Sequence, residues 1–242
     1  MPQSLGQWSS LMNTWILLER PAAQLETLYR LTTHPDTQKL FAGTSLNGFA
    51  EHSPLLVRLD NQSILTQAIE QTPAQWPGLL IESACDMSSL LAHLRQILFV
   101  NFDQQRKGVL RYSNPTVASY FFAACTAQDL SLWLGPINEL RWFGATWATQ
   151  ATGESGWQQL NNLHANDWHI ERTHRAMVLS AAQEEALTRQ RNEQFLYRWW
   201  RQHPQHSYVQ AAQLMAQALT QGIDDSDAIS AFLSAHCTQA QS

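Results

Sequence analysis

Charge is scarce in this chain. Only 14% of its 242 residues are Asp, Glu, Lys or Arg, against roughly 25% in an average soluble protein. The net charge of -5 leaves no basic footprint for nucleic acid and no polybasic patch for an anionic membrane. No run approaches the roughly 18 apolar residues needed to span a bilayer, so no membrane insertion is expected. The opening Met1-Pro2-Gln3-Ser4-Leu5-Gly6-Gln7 has neither a basic nor an apolar signal region, and no secretory leader is expected. Cysteine is also sparse. Cys85, Cys125 and Cys237 are far apart and odd in number, which suits neither a disulfide framework nor a zinc finger. A reducing cytoplasm fits these absences.

Patterns that carry chemistry are missing too. His164, His169 and His174 recur every five residues. Five residues advance a helix by about 500°, so the three would not share a helix face, and on a strand they would alternate. No metal is expected. There is no Gly-x-Ser-x-Gly elbow; Ser83, Asp86 and His93 lie close in sequence, but Ser83 and Asp86 read as strand-end and cap residues. Cys85 sits beside a helix start, where a thiol pKa can fall, yet a buried cysteine is the simpler reading. Neither a Walker loop nor a dinucleotide fingerprint occurs. Gly43-Thr44-Ser45-Leu46-Asn47-Gly48 has no lysine and no helix after it. No catalytic residue, metal or cofactor is assigned, and the chain is read as a non-enzyme.

What is present is a core and many aromatic rings. Hydrophobic residues make up 44% of the chain, which also holds 10 tryptophans, enough to build a core. Short apolar runs alternate with helical stripes. Trp15-Ile16-Leu17-Leu18, Leu55-Leu56-Val57-Arg58-Leu59, Gly78-Leu79-Leu80-Ile81 and Val109-Leu110-Arg111-Tyr112 read as strands. Between them, Leu25, Leu28, Tyr29 and Leu31 form one stripe, and Ile64, Leu65, Ala68 and Ile69 another. Asp86 is a good N-cap for a helix carrying Leu90, Leu91, Leu94, Ile97 and Leu98. Pro115 opens a further helix with Val117, Tyr120, Phe121 and Ala124. Glu139-Leu140-Arg141-Trp142-Phe143 alternates as a half-exposed strand does. Strand-helix alternation predicts an α/β lobe over residues 1–150 with a mostly parallel sheet and right-handed crossovers.

Residues 151–176 read as a connector that opens on a flexible turn, with a last strand or hairpin arm near Trp157. A small all-helical lobe is expected over 177–242. Ser180 with Gln183 is a capping box, Pro204 stops the helix it opens, and Ser207 with Gln210 repeats the box. Gly222 ends the second helix, and Asp225 or Ser226 caps the third. On the first of these helices, Phe195, Tyr197, Trp199, Trp200 and Arg201 put bulky rings beside arginine, the residue types that dominate binding hot spots. One of the two adjacent tryptophans is expected to face outward. These five are the candidate partner-binding residues.

The order of motifs in the first lobe resembles the type VI secretion adaptor family, the Tap/Tec-type chaperones. The resemblance rests on Trp15-Ile16-Leu17-Leu18, Leu56-Val57-Arg58-Leu59, the Trp76 to Ser83 segment, His93-Leu94-Arg95, Arg111-Tyr112-Ser113-Asn114-Pro115-Thr116-Val117 and Gly135-Pro136-Ile137. Asn114 and Thr116 stand where the family carries an acid and an arginine. Asn114 can still cap the helix, but a salt link using that acid and arginine would be lost. The resemblance implies a cytoplasmic adaptor that binds a toxic effector protein and loads it onto the VgrG spike. Two rivals remain. One is a small-molecule or enzymatic α/β domain with its site near Ser83, Asp86 and Arg111, at the strand carboxyl ends. The other is a structural baseplate-type subunit.

Overall fold

The computed structural model describes residues 12–32, 34–103, 106–169 and 177–239. The central strand β1 (Asn13–Leu18) carries an unbroken apolar run because both its faces are buried. Trp15 and Leu17 join one core; Ile16 and Leu18 join the other. Around it lie β2 (Thr37–Lys39), β3 (Leu55–Arg58), β4 (Gly78–Ser83), β7 (Ile137–Gly144) and β8 (Gly156–Asn161). The six form one sheet in the order β2-β3-β1-β4-β7-β8.

Every neighbouring pair in this sheet is antiparallel, which overturns the expected mostly parallel sheet. The reason is where β1 sits. Helix α2 (Ser63–Gln71) joins β3 to β4, and both run opposite to β1, so they point the same way as alternation predicts. β1 is inserted between them, and neither gains a parallel neighbour. Continuous apolar strands signal a sheet covered on both faces. Here that cover is present without parallel pairing.

One face packs α1 (Leu25–Leu31) and α2 through Leu28, Leu65 and Ile69. The other packs α3 (Met87–Gln96), α4 (Pro115–Phe121) and α5 (Ala127–Leu134). The caps behave as expected. Asp86 accepts from the Ser89 N–H at 2.8 Å, and Asn114 accepts from the Thr116 and Val117 N–H groups at 2.9 and 3.2 Å.

The strand expected over residues 109–112 is displaced. β6 (Arg106–Val109) ends where it was to begin, and it pairs with β5 (Phe99–Phe102). A short parallel strand, β9 (Met177–Val178), adds to β5. After Val109 the chain turns inward: Leu110 and Tyr112 are buried, and the Tyr112 hydroxyl donates to the Leu94 carbonyl at 2.7 Å. This places Arg111 and Ser113 on the buried Glu19 carboxylate. The Arg111 Nε and Nη2 donate to it at 2.9 and 2.6 Å, and Ser113 Oγ also donates to it.

Within the expected connector, β8 belongs to the large sheet as the outer arm of a hairpin with β7. The short helix α6 (Trp147–Ala151) precedes it. The C-terminal helices are α7 (Ala181–Gln202), α8 (Tyr208–Thr220) and α9 (Ser226–Gln239). They share a core of Leu196, Trp199, Ala211, Met215, Ile229 and Leu233.

Candidate protein-binding surface

The candidate surface is organised by α7, the longest helix among the described residues. Its capping box forms: Ser180 Oγ accepts from the Gln183 N–H at 3.3 Å, and Gln183 Oε1 accepts from the Ser180 N–H at 3.0 Å. Gln183 is buried, and its Nε2 donates to Cys125 Sγ at 3.3 Å. Burial chiefly, with a small push from Asp129, raises the Cys125 thiol to about 12 against the Gln183 hydrogen bond. This cysteine stays a neutral packing residue.

The first half of α7 is therefore fixed to the α/β lobe, and its second half is the spine of the helical lobe. Glu184 Oε1 accepts from the Asp103 N–H at 3.1 Å. Farther along, Tyr197 packs on Trp147 with ring centroids 5.0 Å apart.

The five residues singled out from the sequence divide between these jobs. Trp199 is 4% exposed and stacks on His203 at 4.3 Å. Trp200 is half-buried, and its indole N–H donates to the His206 carbonyl at 3.0 Å. Phe195 is half-buried against the helical core, and Tyr197 is held by Trp147. Arg201 alone of the five is exposed. Neither tryptophan projects freely from the helix, because both close the α7–α8 corner.

Sequence reasoning missed two further arginines. Arg191 and Arg198 are exposed on α7, seven residues apart, which returns to nearly the same angle on a helix. Their spacing, with Arg201 three residues on, was the available signal. Arg191, Arg198 and Arg201 form no ion pair with any described residue. Arg189, by contrast, is held by Glu193 at 2.7 Å.

Beside Arg191 lies a groove of about 300 Å³ between the β5–β6 hairpin and α7. Val100, Phe102, Leu110, Leu179 and Leu187 give it an apolar lining, and Glu184, Thr188 and Arg191 form its polar edge. Gly108 makes room for the groove floor, since a Cβ there would stand 2.9 Å from the Phe102 ring.

The residues considered for chemistry are engaged elsewhere. Ser83 Oγ donates to the Pro136 carbonyl at 2.5 Å, Asp86 caps α3, and Arg111 is held by Glu19. His93 is buried with Nε2 3.0 Å from the Trp133 carbonyl. A Cβ at Gly135 would stand 2.3 Å from its ring, and the backbone there has a positive φ of 53°, so this position of the Gly-Pro turn requires glycine. Burial, chiefly, pushes the Cys85 thiol up, with a hydrogen bond to Ser83 opposing and Asp86 adding to the rise. Among the described residues no group of three or more His, Cys, Asp or Glu is placed to hold a metal; His174 lies outside them. No helix of the described residues is long and apolar enough to cross a membrane.

Residues 15–132 match the family model described as Domain of unknown function (DUF4123). The match runs from β1 into α5, just under half of the chain, and takes in the inserted strand, the Glu19–Arg111 pair and the capped Pro115 helix. No curated protein matches the chain, and no solved structure matches it.

Proposed function

We infer that this protein is a non-enzymatic adaptor. It binds a cognate toxic effector in the cytoplasm and passes it to the VgrG spike of a type VI secretion system. The observation that carries this reading is the DUF4123 match over residues 15–132, which takes in all but the last, Gly135-Pro136-Ile137, of the ordered motifs that resemble the secretion adaptors. Two features of the molecule support it. The residues that would be drawn into a catalytic site are used as caps, turn supports and a buried ion pair. Meanwhile α7 carries unpaired arginines beside an apolar groove, which suits the capture of another polypeptide. The helical lobe, with Phe195, Tyr197, Trp199, Trp200 and Arg201, is the part assigned to the effector; its buried rings shape the surface and Arg201 lies on it.

The test is co-expression with a candidate toxin and a VgrG spike protein from the same genome, followed by affinity purification and size exclusion. A stoichiometric complex is expected with the toxin, and a ternary one when the spike protein is added. Elution of the chain alone from both mixtures would refute the reading.

A further inference from the structure

We propose that the groove and the arginine line of α7 form one docking site for an acidic partner segment that inserts an apolar side chain. The inference rests on the adaptor reading and adds the chemistry of the bound segment. Its first support is geometry. Glu184, Thr188, Arg191, Phe195, Arg198 and Gln202 follow one another at spacings of three or four residues, which places them along a single line on a helix. The groove occupies the Glu184 to Arg191 end of that line. Arg198 lies about 10 Å beyond Arg191 along the axis, with half-buried Phe195 between them. Arg201 flanks the far end. The surface therefore passes from an apolar recess, over an arginine and an aromatic ring, to a second and third arginine.

The second support is charge. The whole chain carries -5, yet here three arginines on 11 consecutive positions of one helix, 191 to 201, have no acidic partner among the described residues. Arg58, Arg106, Arg111, Arg141 and Arg189 are each matched to a carboxylate, and the other described arginines without one, Arg20, Arg30 and Arg95, are scattered over the α/β lobe rather than gathered on one helix. Guanidinium groups suit planar carboxylates, which they hold with two parallel hydrogen bonds. The complementary occupant is a segment with an apolar residue for the groove and carboxylates for Arg191 and Arg198. Glu184 at the opposite end repels such carboxylates, so the acidic part must point toward Arg198. The apolar lining favours a polypeptide over a nucleic acid, whose phosphates would pair with the arginines and leave the groove unfilled.

The test uses a fluorescent peptide with a central Leu-Phe pair followed by Glu and Asp residues, and a control with Lys in place of the acids. Polarisation is measured with the full chain, with Arg191→Glu/Arg198→Glu, and with Thr188→Trp, an exposed substitution that fills the groove. Circular dichroism confirms that each variant is folded. The acidic peptide should bind the parent chain, weaken by about tenfold or more in each variant, and weaken with added salt; the Lys peptide should not compete. Equal binding by the variants, no binding of the acidic peptide, or displacement of it by a short single-stranded oligonucleotide would overturn the proposal. The same variants are then tested with the co-expressed toxin. A toxin complex that survives Arg191→Glu/Arg198→Glu would move the docking site elsewhere while leaving the adaptor reading in place. Peptide binding without any toxin complex would remove the adaptor reading and keep the site.

Discussion

Glu193 on α7 accepts a hydrogen bond from the Tyr120 hydroxyl on α4 at 2.5 Å. The same carboxylate oxygen lies 3.3 Å from the Ala148 N–H in the first turn of α6, and Tyr120 Oη also accepts from the Trp147 N–H at 2.8 Å. One acidic side chain thus joins three helices and fixes the helical lobe to the α/β lobe. Burial first, then Glu193 itself, pushes the Tyr120 phenol up, so it remains a donor at neutral pH.

Glu193→Ala should lower stability by about 1.5–3 kcal/mol, the range for hydrogen bonds to a charged group. Urea unfolding monitored by tryptophan fluorescence measures this. Limited trypsin digestion should cut the variant faster at exposed Arg189 and Arg191. Parent-like unfolding and digestion would mean that the lobes are held together by other contacts.

The Glu19 carboxylate is almost fully buried, and Arg111 reaches it from a partly open position. Removing one partner of a buried pair costs about 3–5 kcal/mol. Arg111 is 39% exposed, and water screens what it loses, so Glu19→Ala is expected to cost about 2–3 kcal/mol. Arg111→Met should cost more than Arg111→Lys, which keeps the charge but not the two-point grip. Chemical denaturation of the three variants gives the order directly.

His93 ties stability to pH. Burial pushes its pKa from 6.5 down to about 4, against the opposing Trp133 and Leu134 carbonyls. Its Nδ1 is buried without a hydrogen-bond partner. Above pH 6.5 both folded and unfolded states hold neutral histidine, and the group has no effect on the pH dependence. As pH falls from about 6.5 to 4, the unfolded chain takes up a proton that the folded chain refuses. Stability should then fall by up to about 3 kcal/mol, and this group adds nothing further below that window. Urea midpoints at pH 7 and pH 4.5 should show the loss, and His93→Asn should lessen it. An equal loss in His93→Asn would assign the slope to other groups.

Trp199→Ala should destabilise the helical lobe by about 3–5 kcal/mol, as truncation of a buried aromatic does. Loss of partner binding in that variant would report unfolding rather than a lost contact. Arg198→Glu and Arg201→Glu should leave the unfolding midpoint within about 0.5 kcal/mol of the parent, which makes them the cleaner probes. Thermal melts of the three separate these effects.

Much of this was legible in the residues. The caps at Asp86, Asn114 and Ser180 were read from side-chain chemistry acting within one turn, and they formed as read. Pro204 and Gly222 likewise marked helix ends. Strand direction was not legible, because Trp15-Ile16-Leu17-Leu18 looks the same in any sheet covered on both faces; the insertion of β1 between β3 and β4 is a long-range choice. β5 was hidden because Phe99 and Val100 continue the apolar run of α3 through Ile97 and Leu98. The strand near Val109 was placed too late, since Leu110 and Tyr112 are apolar for core packing rather than for pairing. On α7 the conspicuous rings drew attention to Trp199, which the helical core consumes, and away from Arg191 and Arg198, whose exposure depends on how α8 and the β5–β6 hairpin lie against the helix.

The most direct test of the account is the mass, by light scattering, of the purified chain co-expressed with a candidate toxin effector and a VgrG spike protein. The account predicts a stable complex of fixed stoichiometry that recruits the spike protein. A chain that remains free of both proteins while folded would contradict it.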